Sequence, residues 1–392
     1  MKWPRLPGAA SVVALLPAVP VAIPDPDPIP LPAPVGLLRF LLLLTFVLHL
    51  LAMNFALGGS LLTLLSHVRA RGARADIGRN HRRLIALLAR ALPAAIAFTV
   101  TLGVAPLLFV QVLYGPLFFS SSVLMAWPWL AVVALLLLGY YAAYWHTFQH
   151  ATSGRAAPWV VLGMSGLFLG IAFLFVNNFS LLQNPEVWRP LYLHARRGLH
   201  LYALWDGSVV FRFLHFLLPA LALTGLTVAA MGLRHEGVDP AFGRWAKTYG
   251  GRWFAGATLL QFGSGVWFLS VQPPRVRDAL LGGNPADSML LLAAVGFALV
   301  ALATLVPPRR MSRARLCLGS AAIGLTVVLM ALLRQRVRTL WLEPHFRYET
   351  LPVASQWGAI LVFLVLLLTG IGLVGWMLWR FFLPPARIAA PG

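Results

Sequence analysis

The chain has little negative charge, with 11 Asp and Glu residues among 392 against 31 Lys and Arg. Every carboxylate lies in a tail, in a loop or at the edge of an apolar segment, and none lies at the centre of one. Proton pumps and proton-coupled transporters usually carry protons on buried Asp or Glu. The shortage argues against proton transport, paired-carboxylate chemistry within a membrane and a carboxylate-rich metal site.

Cysteine is nearly absent, since Cys317 is the single one in the chain. One thiol excludes an internal disulfide framework, a CxxCH haem attachment site and a cysteine-ligated iron–sulfur cluster. Cys317 stands in an apolar run, and we expect it to be a small core residue.

Hydrophobic residues make up 59% of the chain and charged residues only 11%. Runs of about 20 apolar residues predict membrane-spanning helices, because a helix satisfies its own backbone hydrogen bonds. The sequence predicts an all-α, polytopic membrane helix bundle in which residues 36–392 form a single domain. Nine spans are predicted, at about 36–66, 84–113, 122–147, 158–182, 208–233, 250–271, 287–306, 314–333 and 354–381.

The net charge of +20 comes mainly from arginines in the loops between the apolar runs. Such residues set topology and meet anionic lipid head groups, so nucleic-acid binding is not expected. The loop "HVRARGARADIGRNHRR" is the most basic and is predicted to be cytoplasmic. The N-terminus is then periplasmic and the C-terminus cytoplasmic, in a multi-pass protein of the bacterial inner membrane.

Residues 1–35 form a separate segment that is rich in proline and includes "IPDPDPIPLPAP". The short basic start and the apolar stretch after it are compatible with a signal peptide cleaved near Ala22. Prolines interrupt the apolar stretch, which favours an uncleaved, extended tail.

Histidines are the main polar residues within the predicted spans. A neutral imidazole without a partner in lipid costs several kcal/mol, so it needs a hydrogen bond from another helix or a haem iron. We interpret His49 and His215, each inside a span, as candidate haem ligands, and we expect the nearby Gly58, Gly59 and Gly225 to let a porphyrin approach the backbone. His146 and His150, in "WHTFQH", are more readily hydrogen-bonded core residues, and their role is left open.

A haem also needs cations for its propionates at the membrane edge. Arg212 precedes His215 by three residues and is the first candidate. The others on the predicted periplasmic side are Arg189, Arg196, Arg197, Arg275, Arg277, Arg334, Arg336 and Arg338. The alternative is contact with lipid head groups.

Several sequence segments, spread over most of the chain after residue 36, resemble segments of subunit I of the cytochrome bd family of quinol oxidases and occur in the same order. "RFLLLLTFVLHLLAMNFALGGSLL" is similar to the first helix, whose His ligates haem, and implies this role for His49. "FRFLHF" stands where the family has the His of its low-spin haem b, which implies His215. Met289 resembles the Met that completes the axial pair, and "LLRQRVRTLW" resembles an Arg–Gln region at Arg334 and Gln335.

Two further sequence segments support the resemblance. "IAFLFVNNFSLLQNP" is similar to the end of the fourth helix, and "GVAPL" stands where the family has "GVATG". The axial pair implies that the imidazole of His215 and the sulfur of Met289 face each other across roughly 4–5 Å, because each bond to iron is about 2 Å.

The chain also departs from the family. The family's Glu ligand falls near Met330 and Ala331, the third helix has no glutamate, and the quinol-binding loop is reduced to "QPPRVRDALLGGNP". The resemblance therefore implies one or two haems b, while reduction of oxygen is not favoured.

These features favour a haem-b-containing electron-transfer subunit that relays electrons between the quinone pool and a periplasmic partner, such as a c-type cytochrome. The alternatives are a bd-type quinol oxidase that reduces oxygen, a haem-free anchor for another subunit and, last, a transporter. A second membrane subunit and bound quinol are compatible with the first two. Whether the chain is an enzyme is left open.

Overall fold

The computed structural model describes residues 30–153, 158–193, 198–204 and 206–382. The predicted tail lies almost wholly outside these residues, as do Arg196 and Arg197. Within the described residues the secondary structure is helical, apart from one isolated bridge between Leu31 and Val353. The predicted all-α fold is confirmed.

Eleven α-helices form the described part of the chain, nine of them long. The long helices are α1 (Val35–Gly72), α2 (Ala75–Met125), α3 (Trp127–Ser153), α4 (Pro158–Leu182), α6 (Ser208–His235), α7 (Pro240–Ser270), α9 (Pro285–Leu305), α10 (Arg313–Leu342) and α11 (Trp357–Phe382). The short ones are α5 (Trp188–Leu193) and α8 (Pro274–Asp278). Each predicted span corresponds to one long helix.

Eight of the long helices are long and apolar enough to cross a membrane, which supports a multi-pass protein in a lipid bilayer. The exception is α7, which has 31 residues but a more polar sequence. It lies antiparallel to α6: Phe211 stacks on Trp267 at 4.1 Å, and Gly232 meets Gly243 one helix-length away. Because α6 is long and apolar enough to cross a membrane, the antiparallel α7 beside it extends through the same membrane layer.

The second helix is longer than predicted, with 51 residues instead of about 30. Tyr114, with φ −128° and ψ 30°, breaks the helical geometry in front of Pro116, and the chain then continues as helix to Met125. Ala126, at φ 39°, separates α2 from α3. The sequence placed the end of span 2 and the start of span 3 too early because an apolar stretch continues across both.

The outer helices present apolar side chains to the surroundings. On α11, Leu361, Val365 and Leu368 are about 60% exposed or more. Cys317, expected to be a core residue, is exposed on α10. The prediction was wrong because an apolar neighbourhood in a membrane protein also describes a lipid-facing surface.

Candidate functional site

Arginine side chains gather among aromatic rings where α1, α4, α6 and α10 meet. The guanidinium group of Arg334 on α10 lies 4.5 Å from the ring centroid of Phe46, 5.4 Å from that of Phe179 and 5.7 Å from that of Phe216. These rings belong to α1, α4 and α6, so Arg334 stands between three helices. Cation–π contact stabilises a charge that has left water.

Arg338 lies one turn further along α10 and is 1% exposed. Its guanidinium group is 5.1 Å from the ring of Tyr114 and 5.7 Å from that of Phe179. Its Nε and Nη2 are buried with no hydrogen-bond partner, as is Nε2 of Gln335. These three buried nitrogens are therefore hydrogen-bond donors without an acceptor among the described residues.

A small cavity opens beside these donors between α1 and α10. It is lined by Leu42, Leu43, Phe46, Ala331, Arg334, Gln335 and Arg338. Its volume is about 10 Å³, space for about one water-sized group and far below the roughly 300–1,000 Å³ that is usual for a small-molecule site. The lining contains cations and amides and no carboxylate, so it suits an anionic group.

Arg212, the first propionate candidate, is 9% exposed and already has a partner. Its Nη1 donates to Oε1 of Gln183 at 3.0 Å, and its guanidinium group lies 5.6 Å from the ring of Phe268. In the loop before α6, Tyr202 donates to Asp206 at 3.0 Å. Burial and then the Asp206 charge raise the pKa of Tyr202, which stays protonated.

His49 is held between α1 and α2. Its Nδ1 lies 3.0 Å from the carbonyl oxygen of Thr99, to which it donates in that tautomer. A Cβ at Gly103 would lie 2.9 Å from two atoms of the ring, so this glycine makes room for the imidazole. His49 therefore has a structural partner.

His215 is held between α6 and α7. Its Nδ1 lies 3.1 Å from Ser264 Oγ and 3.1 Å from Gln261 Nε2. Its ring stacks on Phe268, with centroids 5.4 Å apart and planes 12° apart. Gln261 also donates to the carbonyl oxygen of His215 at 3.0 Å. The imidazole is turned towards α7.

Met289 and His215 have different surroundings. Met289 lies near the start of α9 and is 70% exposed, whereas the side chains in contact with His215 come from α7. The separation of roughly 4–5 Å between imidazole and sulfur that the resemblance implies stays a prediction.

His49 and His215 lie at one depth in the bundle. Gly58 of α1 packs against Ala220 and Thr224 of α6, and Thr224 donates to the carbonyl oxygen of Asn54 at 3.4 Å. His49 precedes Gly58 by nine residues, and His215 precedes Thr224 by nine. Parallel helices in this register place both imidazoles at the level where Arg334 stacks on Phe46 and Phe216.

The glycines expected to admit a porphyrin serve helix packing instead. Gly58 contacts the backbone of α6, a Cβ at Gly59 would lie 3.1 Å from Leu92, and one at Gly225 would lie 2.6 Å from the backbone of Phe254. Sequence reasoning also missed Gln261 and Ser264. The signal was available, since "LLQFGSG" places two polar side chains inside an otherwise apolar stretch of α7.

The predicted residues thus divide into three groups. Arg334, Gln335 and Arg338 line one cavity, His49 and His215 are hydrogen-bonded to α2 and α7, and Met289 is exposed near the start of α9. Within the described residues, no three His, Cys, Asp or Glu side chains converge on one point. No protein-family model matches the chain, and no curated protein matches it significantly.

Proposed function

We propose that the chain is a haem-b-containing subunit of a bacterial inner membrane, which relays electrons between the quinone pool and a periplasmic partner such as a c-type cytochrome. The observation that carries the proposal is the arginine-lined cavity, where buried donors of Arg338 and Gln335 have no hydrogen-bond partner. A bound haem b would supply one-electron transfer at a potential tuned by ligation and burial.

Buried donors need an acceptor, and this is the physical argument for an anionic ligand. A polar group buried without a hydrogen bond costs about 1–3 kcal/mol, and more when it is charged. Arg338 contributes two such donors and Gln335 one. Carboxylates accept from guanidinium groups in strong, charge-assisted bonds. Haem propionates at this cavity would satisfy donors that the chain itself leaves unpaired.

The residues present fit the anionic edge of a haem. Arg334, Arg338 and Gln335 would hold the propionates, while His215 and His49 are the candidate iron ligands. Each imidazole would bind iron through Nε2 and keep its present hydrogen bond at Nδ1, as metal-ligating histidines usually do. Met289 remains a prediction of the second axial ligand, although its exposure does not support it.

A haem-free anchor for another membrane subunit is the second candidate, and specific observations favour it. Both imidazoles have hydrogen-bond partners within the bundle, at Thr99 and at Ser264. The cavity is small, and most side chains of α11 are exposed. A bd-type oxidase is less supported, because Ala331, where the resembled family has its Glu ligand, lines the cavity and offers no ligand.

Haem content decides between these functions. We expect the purified chain, reconstituted into membranes, to show a b-type α band in its reduced-minus-oxidised spectrum. The pyridine haemochrome assay should give one or two haems per chain. An anchor gives neither signal. Cyanide-sensitive oxygen uptake with a quinol would favour the oxidase instead.

Variants of the arginine cavity link haem content to this site. Arg334→Gln and Arg338→Gln remove a positive charge each and should lower the haem retained through purification. Arg310→Gln, in the exposed loop after α9, is the matched control and should keep full haem content. If all three variants retain the same amount of haem, the cavity binds a ligand other than haem.

A further inference from the structure

Two imidazoles join α1 to α3 at the end of the bundle that carries the most basic loop. His67 lies in the last turns of α1 and His146 in the last turns of α3. His146 is 1% exposed, and His67 is partly buried. Beside them, Thr147 donates to the carbonyl oxygen of Ala89 at 2.6 Å, which fixes α3 against α2. The sequence leaves the role of His146 open, and the structure gives it a partner on another helix.

The geometry of this pair limits the number of protons that it can hold. The two Nε2 atoms lie 3.3 Å apart, and the rings are nearly perpendicular, at 76°. One Nε2 carries a proton and donates it while the other accepts, in a neutral pair and also in a pair with one additional proton. When both imidazoles are protonated, each Nε2 is a donor and nothing accepts, so the hydrogen bond is lost. The closed contact therefore admits at most one positive charge.

The charges around the pair are positive. Arg71 on α1 and His150 on α3 act electrostatically on His67, and none of the charges that act on either imidazole of the pair is negative. His150 lies one turn beyond His146, with ring centroids 6.5 Å apart, and Arg90 on α2 acts on His150 in turn. A proton taken up here thus meets positive charge on three helices, and no carboxylate among the described residues offsets it.

The remaining helix at this level adds no charge. α4 shares an apolar core with α3 at Ala143, about one turn before His146. No titratable residue occurs on α4 between Pro158 and Leu182. Burial also limits hydration, which would otherwise stabilise an additional charge. Both imidazoles can therefore become charged only when they separate and gain access to water.

We propose that the His67–His146 pair is a pH-sensitive contact, which holds α1 against α3 at neutral pH and opens when the adjacent compartment, predicted to be the cytoplasm, becomes acidic. The open form can bind one more proton than the closed form, so a falling pH favours it. An ordinary histidine has a pKa of about 6.5, so opening should occur below about pH 6.5. The proposal goes beyond the proposed function, because neither imidazole belongs to the haem site.

Spin labels on exposed side chains beside the pair measure this contact. Val68 follows His67 directly and is 62% exposed, and Phe148 is two residues beyond His146 and 70% exposed. The full chain with Val68→Cys, Phe148→Cys and Cys317→Ser is labelled and reconstituted into lipid nanodiscs. Pulsed electron paramagnetic resonance then gives the label–label distance at about pH 7.5 and about pH 5, on either side of the histidine range. We expect one narrow distance at the higher pH and a longer, broader distribution at the lower pH.

Glutamine variants assign the response to the pair. His67→Gln and His146→Gln each keep a side chain that can donate and accept a hydrogen bond but cannot take up a proton. Each should therefore keep the same distance at both pH values. His235→Gln is the control, because His235 lies at the same end of the bundle and bonds to Met231 of its own helix at 2.8 Å. This variant should respond as the natural pair does.

A second label pair separates local opening from general unfolding in acid. Val210 on α6 and Val266 on α7 are exposed on two helices that are held together by the stacking of Phe211 on Trp267. Their distance should be the same at both pH values. The proposal is overturned by an unchanged distance between the labels at 68 and 148, by a response that both glutamine variants retain, or by an equal change in the α6–α7 pair.

Discussion

Two side chains that the sequence assigns to one iron stand in different surroundings. His215 bonds to Ser264 and stacks on Phe268, whereas Met289 is 70% exposed. We therefore expect unequal effects of the two substitutions. His215→Ala should abolish the low-spin b-haem signal, while Met289→Ala should leave it, measured as the α-band amplitude per chain.

His235→Ala serves as the control for this pair, because His235 bonds within its own helix. Loss of the low-spin signal in the Met289 variant alone would restore the axial pair implied by the resemblance. An unchanged spectrum in both variants would remove His215 from the ligand set.

A single glycine sets the approach of α1 to α6. A Cβ at Gly58 would collide with the carbonyl oxygen of Ala220 and the hydroxyl of Thr224, so Gly58→Ala must separate the two helices. We expect destabilisation of about 1–3 kcal/mol, the usual cost of overpacking. The measurement is thermal unfolding in detergent, together with haem retention.

Gly36→Ala is the matched control on the same helix, because nothing lies within 4 Å of its added Cβ. Alanine is the better helix former, so this variant should be neutral or slightly more stable. A Gly58→Ala protein as stable as the Gly36→Ala protein would mean that the helices do not pack this closely.

At the scale of elements, α6 and α7 pack closely through glycines along both helices. Gly225 and Gly232 of α6 meet the backbone of α7, and Lys247 reaches Glu236 at 2.8 and 3.0 Å. Lys247 is 8% exposed and Glu236 29%. Small residues permit this approach, as in other membrane helix pairs.

Removing the carboxylate of the Lys247–Glu236 ion pair should lower the stability of the fold. Glu236→Gln leaves the Lys247 ammonium group buried beside a neutral amide, and a buried charge without its partner costs about 3–5 kcal/mol. We expect about 1–3 kcal/mol here, because the partly exposed Glu236 is screened by solvent. Glu343→Gln breaks the exposed pair with Arg347 and should cost less than about 0.5 kcal/mol. Similar thermal shifts in both variants would contradict the difference in burial.

The start of α7 depends on a charged cap. Asp239 accepts from the backbone N–H of Phe242 at 3.0 Å and pairs with Arg83 of α2. The backbone hydrogen bond and then Arg83 lower the pKa of Asp239 below its ordinary value. Its contribution to stability is therefore complete above the unfolded pKa of about 3.9 and disappears as the pH falls through the folded pKa.

We expect the apparent melting temperature of the natural protein to fall as the pH drops below about 4 and through the lowered folded pKa of Asp239. Asp239→Asn keeps an acceptor for the cap but cannot titrate, so its melting temperature should depend less on pH over this range. Asp278→Asn, at an exposed carboxylate, should follow the natural protein. Parallel pH profiles for all three would exclude Asp239 as the titrating cap.

At the scale of the whole molecule, α7 decides the topology. If it crosses the membrane with α6, there are nine spans and the two ends of the chain lie on opposite sides. We expect Ala286→Cys to react with an impermeant maleimide in intact cells and Val238→Cys to react only after permeabilisation. Both positions are exposed; Val238 lies just before the start of α7, and Ala286 lies at the start of α9, after α7 and α8. They are tested in a Cys317→Ser background, since Cys317 is exposed.

Labelling of both new cysteines from one side would mean that α7 does not cross the membrane. Val238 accessible from outside and Ala286 accessible from inside would invert the orientation predicted from the basic loops.

Local sequence was sufficient for the class of fold and for the existence of each long helix. A bilayer admits few backbone arrangements, so long apolar runs between basic loops predict spanning helices without knowledge of their neighbours. The same pattern identified polar residues of the cavity, because Arg334 and Gln335 stand out in an apolar segment. It also placed His146 and His150 on one face of α3.

Tertiary structure decided what those side chains contact. The partners of His215 are about 50 residues away on α7, and the partner of His67 is 79 residues away on α3. Hydropathy reports that a residue is buried or faces lipid but not which helix lies beside it, so it misplaced Cys317 in the core. The sequence also suggested that glycines near the histidines make room for a porphyrin, whereas Gly58 and Gly225 lie where helices pack against each other. Helix register alone brings two imidazoles and an arginine cavity to one depth.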